Sequence, residues 1–581
     1  MDCAVPRLLP SALLPLMAQA PAHCALRFRG KTYTNADLLQ KVQALTTALR
    51  SLPLTEATAV AVAMPRSPEL LACLLALWQC GAIYVPLDPS LPRERLQQQL
   101  QGARVQLIIT QPALADAMAS FPLPTIVVTP LDASCTATTA LSAPATVLAE
   151  SPAYVMFTSG SSGPPKAVLL SHGNLATFFA AVAAQWKFPS GLRYLVLASP
   201  GFDISLFELL APLLFRGTAV IADTAESTDP GALLQLLRDE SLDVVQATPS
   251  HWHLLCQQPM PSGWRIPLAL SIGEALSKTL ARQLLQHTDQ LWNLYGPTEC
   301  TIWATAHRVG DEDTGEHAPA IVCLGQALPA YHAQVLPDGE LLLAGQAVAL
   351  GYANDHTLAA ARFVLHADER SYRTGDLCRL DSAGLLHFLG RNDQQIKLAG
   401  HRIELDEIEQ RLQAHSSVAQ AACALRPLAS GTGQLLAFLV CKPGAPNKDA
   451  QRFNAWLAST LPAWMLPHRY LIVDRLPLSA NGKLDRRKLL ALAEQDAGNR
   501  SGEATALANK VASVFCEILE LPSVGHSDSF FDLGGTSMLS ASLILSLNQR
   551  FHARLSLRQA LQTPPTVNSL VSLLQSQGVS E

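Results

Sequence analysis

Residues 154–175, YVMFTSGSSGPPKAVLLSHGNL, hold the densest set of side chains able to do chemistry. An apolar run leads into a Gly/Ser/Thr loop and then a lysine. Gly160 and Gly163 permit backbone conformations in which successive N–H groups turn toward one anion. Thr158, Ser159, Ser161 and Ser162 add hydroxyl donors, and Lys166 adds a point charge. That chemistry is phosphate binding. The loop is not of the Walker A type, because Lys166 follows Pro164-Pro165 and precedes Ala167. A polar surface loop is the bland alternative. Four hydroxyl residues and two glycines directly after a buried strand argue against it. Elsewhere, reactive side chains have quieter local explanations. Lys483 follows Asn481-Gly482, a turn pair whose lysine is ordinarily solvated. Ser537 follows Gly534-Gly535-Thr536 at the head of an amphipathic helix, where serine is a common cap. Asp376 and Arg391, taken singly, read as surface ions, and Asp203 reads as a helix cap after a strand.

A phosphate loop needs a rigid frame. Through residues 58–350, apolar runs such as TAVAVAM (58–64), AIYVPL (82–87), VQLIIT (105–110), PTIVVT (124–129) and RYLVLAS (193–199) alternate with helical stretches such as PELLACLLALWQC and GALLQLLRDESL. Continuous Val/Ile/Leu strands separated by helices predict parallel sheets covered on both faces, hence an α/β architecture. Residues 131–151 read as an exposed loop or edge segment. A second texture begins near Gly390. There, short strands (LLHFLG, LLAFLVCKP, RYLIVDRLPL) alternate with two helices, predicting a small α+β domain. Residues 491–505 have linker composition. The tail, 506–577, is helical in pattern and predicts a small four-helix bundle. The expected division is therefore 1–392, 393–490, a linker at 491–505, and 506–577.

Composition narrows the class. A chain of 581 residues is too long for one core. With 49% apolar and 15% charged residues it is a packed globular protein, and a net charge of −5 gives no basic face for nucleic acid. The twelve cysteines, from Cys3 to Cys516, form no CxxC pair and no zinc-spaced cluster, which predicts reduced thiols and a cytoplasmic setting. Residues 8–20 only faintly resemble a signal peptide, because Pro10 and Pro15 interrupt them. Residues 70–85 are apolar but short of a membrane span and read as a buried helix running into a buried strand. No membrane partner is expected.

The loop at 154–175 resembles the phosphate-binding signature of the acyl-adenylate-forming superfamily. Further segments then resemble the adenylation domains of nonribosomal peptide synthetases in order: LWQCGAIYVPLDPSLP (77–92), FDIS (202–205), NLYGPTEC (293–300), GELLLAGQAVALGYAN (339–354), YRTGDL (372–377), GRNDQQIKLAGHRIELDEIE (390–409) and NGKLDR (481–486). FFDLGGTS, ending at Ser537, resembles a carrier-protein signature. The resemblance implies a large α/β subdomain with stacked sheets, a small α+β lid and an all-α carrier. It implies ATP, Mg²⁺ and a 4′-phosphopantetheine arm on Ser537, attached by a separate phosphopantetheinyl transferase. Glu299 is implied as the Mg²⁺ ligand, and a hard cation wants carboxylate oxygen. Tyr295 would stack on adenine, Asn293 would read its amino edge, and Gly273, Glu274 and Ala275 would lie beside the base. Gly296 and Thr298 belong to the same YGPTE segment. Asp376 would accept from both ribose hydroxyls, with Arg391 near ribose and phosphate. Lys166 and Lys483 would stabilise charge during adenylation, Lys483 entering from the small domain. Asp393 matches the family's hinge, about which the 397–402 loop would swing inward for thioester formation. Three residues depart from the family's pattern: Ile272 stands where the first glycine of the segment beside the base is usual, Ala399 where an arginine is frequent, and Ala167 where a glycine is usual.

Asp203 matches the aspartate that pairs with a substrate α-amino group, which implies an amino acid. The side-chain pocket would be Asp203, Ile204, Phe207, His251, Leu270, Ile272, Leu294, Ile302, Trp303 and Lys483. Ile272 and Trp303 would fill its floor, and no second carboxylate or base is present. A small neutral substrate is indicated, with glycine heading the set. Proline, serine or another small carboxylate stay open, and so does an inactive adenylate-binding or carrier scaffold. The loaded product would pass to a downstream condensation, tailoring or release enzyme acting in trans.

Overall fold

The computed structural model describes residues 8–131, 143, 145–160, 164–261, 263–398, 400–428, 433–442, 450–477, 484–497, 506–521, 523–531, 533–535, 537–560 and 565–579. They form two compact units, one running up to Asp393 and the other starting at Gln394.

The first unit contains two large sheets. A seven-stranded sheet runs, in spatial order, Gly351–Tyr352, Lys166–Ser171, Pro152–Thr158, Ile83–Leu87, Ala59–Ala63, Leu107–Thr110 and Thr125–Val127. A nine-stranded sheet has Arg193–Val196, Thr218–Ile221, Val244–Ala247, Ile266–Ser271 and Thr288–Tyr295 among its strands. The central strands are parallel, and Ala59–Ala63 and Ile83–Leu87 are buried along their whole length. The margins are not. Lys166–Ser171 folds back antiparallel on Pro152–Thr158, and Thr305–Val309 does the same on Thr288–Tyr295. Antiparallel edges need only tight turns, whereas parallel neighbours need a crossover.

Helix Pro68–Gln79 is buried on all sides apart from part of Glu69, so the apolar run at 70–85 is core. Helix Leu9–Ala18 buries Leu9, Leu13, Leu14 and Met17. No described helix is long and apolar enough to cross a membrane. A third sheet, wholly antiparallel, joins His332–Val335, Glu340–Ala344, Glu369–Leu380, Phe363–His366 and Leu386–Arg391. This corrects the grouping of LLHFLG with the short strands of the small domain, although the expected boundary at 392 left it in the first. That strand pairs with Glu369–Leu380 inside the first unit.

The second unit holds the hairpin Gln395–Leu398/His401–Glu404 and a three-stranded sheet of Val418–Pro427, Gly433–Cys441 and Arg469–Ile472. Helices Leu405–Gln413, Ala450–Ala458 and Arg486–Ala497 belong to it too. The last of these runs into the stretch expected to be linker. Four further helices, Ala506–Leu519, Ser537–Phe551, Leu557–Ala560 and Val567–Ser576, close around Phe515, Phe530, Leu543, Leu547 and Leu570.

Candidate nucleotide and amino-acid site

The phosphate loop is a hairpin connection. Thr158 and Lys166 form the last cross-strand pair of the two strands that flank it. A Cβ on Gly160 would stand 2.0 Å from the Pro164 carbonyl oxygen, so only glycine fits there. Asn354 fastens the return strand, accepting from the Ala167 N–H at 3.0 Å and donating to the Pro165 carbonyl at 2.8 Å. Ser159 and Lys166 are buried. The Thr158 hydroxyl is buried with no hydrogen-bond partner among the described residues. A buried hydroxyl with its donor unused, beside a buried lysine, fits a phosphate oxygen. Ser161, Ser162 and Gly163 lie outside the described residues.

Glu299, in the short turn Thr298–Cys300, is fully buried. Tyr352 donates to its Oε1 at 2.8 Å and meets the Tyr372 hydroxyl at 3.2 Å. The phenol orients a carboxylate of the type that binds Mg²⁺. After Glu299 the chain turns sharply, with Thr301 at φ +58 and Ile302 at φ +66. β-Branched residues rarely adopt this left-handed region, and each costs about 1–3 kcal/mol. The Thr301 hydroxyl holds the turn by donating to the Ala347 carbonyl at 2.6 Å. Gly296 lets it close, since a Cβ there would lie 2.6 Å from the Trp303 Cα.

The strained turn delivers Asp203, Thr298 and Glu299 to one place. Asp203 makes no helix-capping hydrogen bond at the start of Ile204–Leu214, so the cap reading fails. Its carboxylate is buried instead, close to Thr298 and Glu299. Burial pushes its pKa up from 3.8 to about 6, and nearby Glu299 pushes the same way. Such a carboxyl gains most from a cation brought beside it. The helix is anchored from below by Glu208, which the sequence reading missed. Its carboxylate accepts from the Leu197 and Ala198 N–H groups at 2.7 and 2.8 Å and from Gln246 at 3.1 Å. Burial raises Glu208 to about 7.

Phe207, Leu270, Ile272, Leu294, Ile302 and Trp303 are all buried, while Ile204 is half-buried. The Trp303 ring meets Phe207 edge-on at 4.6 Å and Phe178 at 5.2 Å. His251 pairs its Nδ1 with the Thr248 hydroxyl at 3.0 Å, and burial lowers it to about 4. It is a neutral ring at physiological pH.

Asp376 and Arg391 face each other across a strand pair and are joined by an ion pair. The other Asp376 oxygen accepts from the Tyr295 hydroxyl. Burial, followed by the Asp376 charge, holds that phenol protonated. Tyr295, the residue expected to stack on adenine, is therefore fixed through its hydroxyl to the residue expected to bind ribose. Arg391 also grips Asp393 with two bonds, at 2.6 and 2.7 Å. Gly375, at φ +76, leaves room for both, because a Cβ would meet Arg391 Nη2 at 2.6 Å. The Asn293 amide N–H group donates to the Cys323 carbonyl at 2.8 Å. That fixes its oxygen as the atom able to accept from an adenine amino group. His307, opposite Asn293, bonds both Asp313 oxygens at 2.9 Å. Burial alone would lower His307, but Asp313 and Cys323 outweigh it and raise the ring to about 10. Gly273 sits at φ +91, beside Glu274, whose carboxylate accepts from the Ser250 N–H at 3.1 Å and hydroxyl at 2.6 Å. Ala275 continues this segment.

In the second unit, Asn481, Gly482 and Lys483 lie outside the described residues, as does Ala399. The chain just after them is anchored: Arg486 bonds Glu409 at 2.8 Å and the Cys423 carbonyl at 3.0 Å. Ser537 begins helix Ser537–Phe551, and its side chain is outside the description.

Comparison with known families decides what this set of residues is. The family described as "AMP-binding enzyme" matches residues 16–353. The chain belongs to the AMP-binding enzyme family. The "AMP-binding enzyme C-terminal domain" matches residues 407–483, and a "Phosphopantetheine attachment site" matches residues 509–574. This AMP-binding enzyme is 33% identical over 574 residues to syringomycin synthase SyrB1 of Pseudomonas syringae pv. syringae, covering 93% of this chain and 91% of that one. It is 34% identical over 540 residues to a dimodular nonribosomal peptide synthase of Bacillus subtilis, covering 89% of this chain. It spans only 22% of that relative, and 52% of phosphinothricin tripeptide synthetase PhsC of Streptomyces viridochromogenes. Holo-PA1221, an NRPS protein containing adenylation and PCP domains bound to a vinylsulfonamide inhibitor, is similar in structure. The TM-score is 0.83 at 28% identity, over 100% of this chain and 98% of that one. The AMP-binding enzyme is therefore an adenylation–carrier protein of the nonribosomal peptide synthetase class. That class comprises ATP-dependent ligases that carry phosphopantetheine.

Proposed function

We propose that this protein activates a small neutral amino acid, glycine first, as its adenylate, and then loads it onto its own carrier domain. The observation that carries the reading is the buried Asp203 carboxylate, beside Glu299 and next to a pocket filled by Phe207, Ile272 and Trp303. A raised buried carboxyl favours an ammonium partner, and a filled pocket leaves little room for a side chain. A four-domain nonribosomal peptide synthetase bound to AMP and glycine, 29% identical and with a TM-score of 0.60, gives the reading independent support.

The residues divide the work. Thr158, Ser159, Gly160, Ser161, Ser162, Gly163 and Lys166 cradle the phosphates, while Glu299, oriented by Tyr352, holds Mg²⁺. Asp376 binds the ribose, steadied by Arg391 and Tyr295, and Asn293, Gly273, Glu274 and Ala275 border the base. Lys483 stabilises the charge that develops as the substrate carboxylate attacks the α-phosphate and pyrophosphate leaves. Asp393 is the hinge between half-reactions. Ser537 carries the phosphopantetheine arm, which when attached supplies the thiol that accepts the acyl group. A phosphopantetheinyl transferase installs it, a downstream enzyme takes the product, and the free cysteines suit the cytoplasm. Residues 1–392, 393–490 and 506–577 are the corresponding domains.

The test is ATP–pyrophosphate exchange over all common amino acids plus acetate and benzoate. Glycine should give the largest signal. A flat panel from folded, Mg²⁺-supplied protein would contradict the proposal, and a proline or serine maximum would correct the substrate.

A further inference from the structure

The lid sheet and the helical carrier belong to one compact unit, and their contact has a specific chemistry. Strands Val418–Pro427 and Gly433–Cys441 form an antiparallel hairpin in which Arg426 lies opposite Gln434. Gln434 is only 1% exposed, in a strand whose other buried residues are apolar apart from Gly433. Its amide oxygen accepts from the Arg426 guanidinium, and its amide nitrogen donates to the Gly534 carbonyl of the carrier at 2.8 Å. A cation on one side and a carbonyl on the other leave the amide a single orientation. Arg426 also donates to the Leu519 carbonyl at 2.6 Å, placing a positive charge on the C-terminal end of helix Ala506–Leu519. Leu428, at the end of the same hairpin, packs into the carrier's own apolar cluster.

The two glycines before Ser537 have different reasons to be glycine. Gly535 is pressed by the carrier itself, since a Cβ there would lie 2.2 Å from the Phe530 ring. Gly534 is pressed by the lid. It sits at φ +97, and a Cβ would stand 2.9 Å from Gln434 Nε2. The loop that leads into the attachment helix is thus shaped to receive a lid side chain.

We propose that Arg426 and Gln434 form a latch that holds the carrier by this loop, so that lid and carrier move as one body. The latch fixes the origin of the arm at Ser537 and makes self-loading faster than it would be from a freely tethered carrier. Gln434 and Arg426 are positioning residues, and the inference rests on the carrier-loading reading above.

The test uses the full-length, phosphopantetheine-bearing protein and the variant Gln434→Glu. Glutamate keeps the acceptor for Arg426 but removes the donor to Gly534, so the pairing within the lid survives while the bond to the carrier loop is lost. Hydrogen–deuterium exchange over residues 519–535 should quicken, and exchange over 418–441 should stay as in the parent. Single-turnover loading should fall roughly tenfold, the worth of one buried hydrogen bond of ordinary net strength. ATP–pyrophosphate exchange should stay within about twofold, because the latch acts after adenylation. Arg426→Met, which removes the donor to Leu519, should show the same loading defect. Unchanged protection of 519–535 in both variants overturns the latch. So does lost protection with unchanged loading, and so does lost protection of 418–441 in Gln434→Glu, which would assign the effect to the lid's own fold. A parent that exchanges pyrophosphate with no amino acid contradicts the proposed function instead, and the protection measurement still decides the latch.

Discussion

Replacing Asp203 with asparagine should make the protein more stable and nearly inactive. The Asp203 carboxylate is buried near Glu299, and its pKa stands at about 6 against an ordinary 3.8. Keeping it ionised at pH 7 therefore costs the fold roughly 3 kcal/mol. The sign follows from the raised value. The folded protein holds this proton more tightly than the unfolded chain, so stability falls as pH rises from 3.8 and the cost is complete above about 6. Asparagine removes the charge and keeps the shape. The variant's thermal midpoint should rise by a few degrees at pH 7 and match the parent below about pH 4. The same change deletes the partner of the substrate ammonium. Losing one side of a buried ion pair costs about 3–5 kcal/mol, so kcat/KM in pyrophosphate exchange should fall at least about a hundredfold. Calorimetric scans at pH 4 and pH 7, paired with amino-acid-dependent exchange, read both effects. A variant with no pH-dependent gain in stability, or with exchange within threefold of the parent, would refute the reasoning.

Further outcomes follow from the same geometry. The acid limb of kcat/KM for the amino acid should centre near pH 6, tenfold per unit below it, because Asp203 must be ionised; His251, lowered to about 4, contributes nothing there, and a limb centred below pH 5 would contradict this. Tyr352→Phe removes the 2.8 Å bond to Glu299 and should raise the Mg²⁺ concentration for half-maximal exchange roughly tenfold, read by metal titration. Ile272→Ala should open the pocket floor, raise alanine exchange relative to glycine by about tenfold or more, and cost about 2–5 kcal/mol of stability by urea unfolding. Gly160→Ala places a methyl 2.0 Å from the Pro164 carbonyl oxygen and should raise the KM for ATP while leaving the carrier's modification by a transferase unchanged.

The parallel core was legible because strands such as Ala59–Ala63 are buried on both faces, which forces continuous apolar runs. The phosphate loop was legible because its work is done by backbone, glycine and hydroxyl groups packed into a dozen residues. Pairings across long separations were not. Tyr352 reaches Glu299 over 53 residues and Asn354 reaches Ala167 over 187, and no local pattern encodes either. Both residues stand at the end of GELLLAGQAVALGYAN, which signals their place without their partners. The third sheet escaped notice because Glu369–Leu380 alternates burial irregularly and carries charge, so LLHFLG read as the first strand of the next domain. Asp203 shows the limit of local rules. Its position before a helix fits a cap, yet in the fold it makes no capping bond and lies buried near Glu299.

The measurement that tests the central claim most directly is the intact mass of the phosphopantetheine-bearing protein after incubation with ATP, Mg²⁺ and an equimolar mixture of amino acids. The account predicts a gain of one glycyl residue, removable by hydroxylamine, absent without ATP and absent in Ser537→Ala although that variant still exchanges pyrophosphate. A protein that exchanges pyrophosphate but gains no mass, or that gains the mass equally in Ser537→Ala, would contradict it.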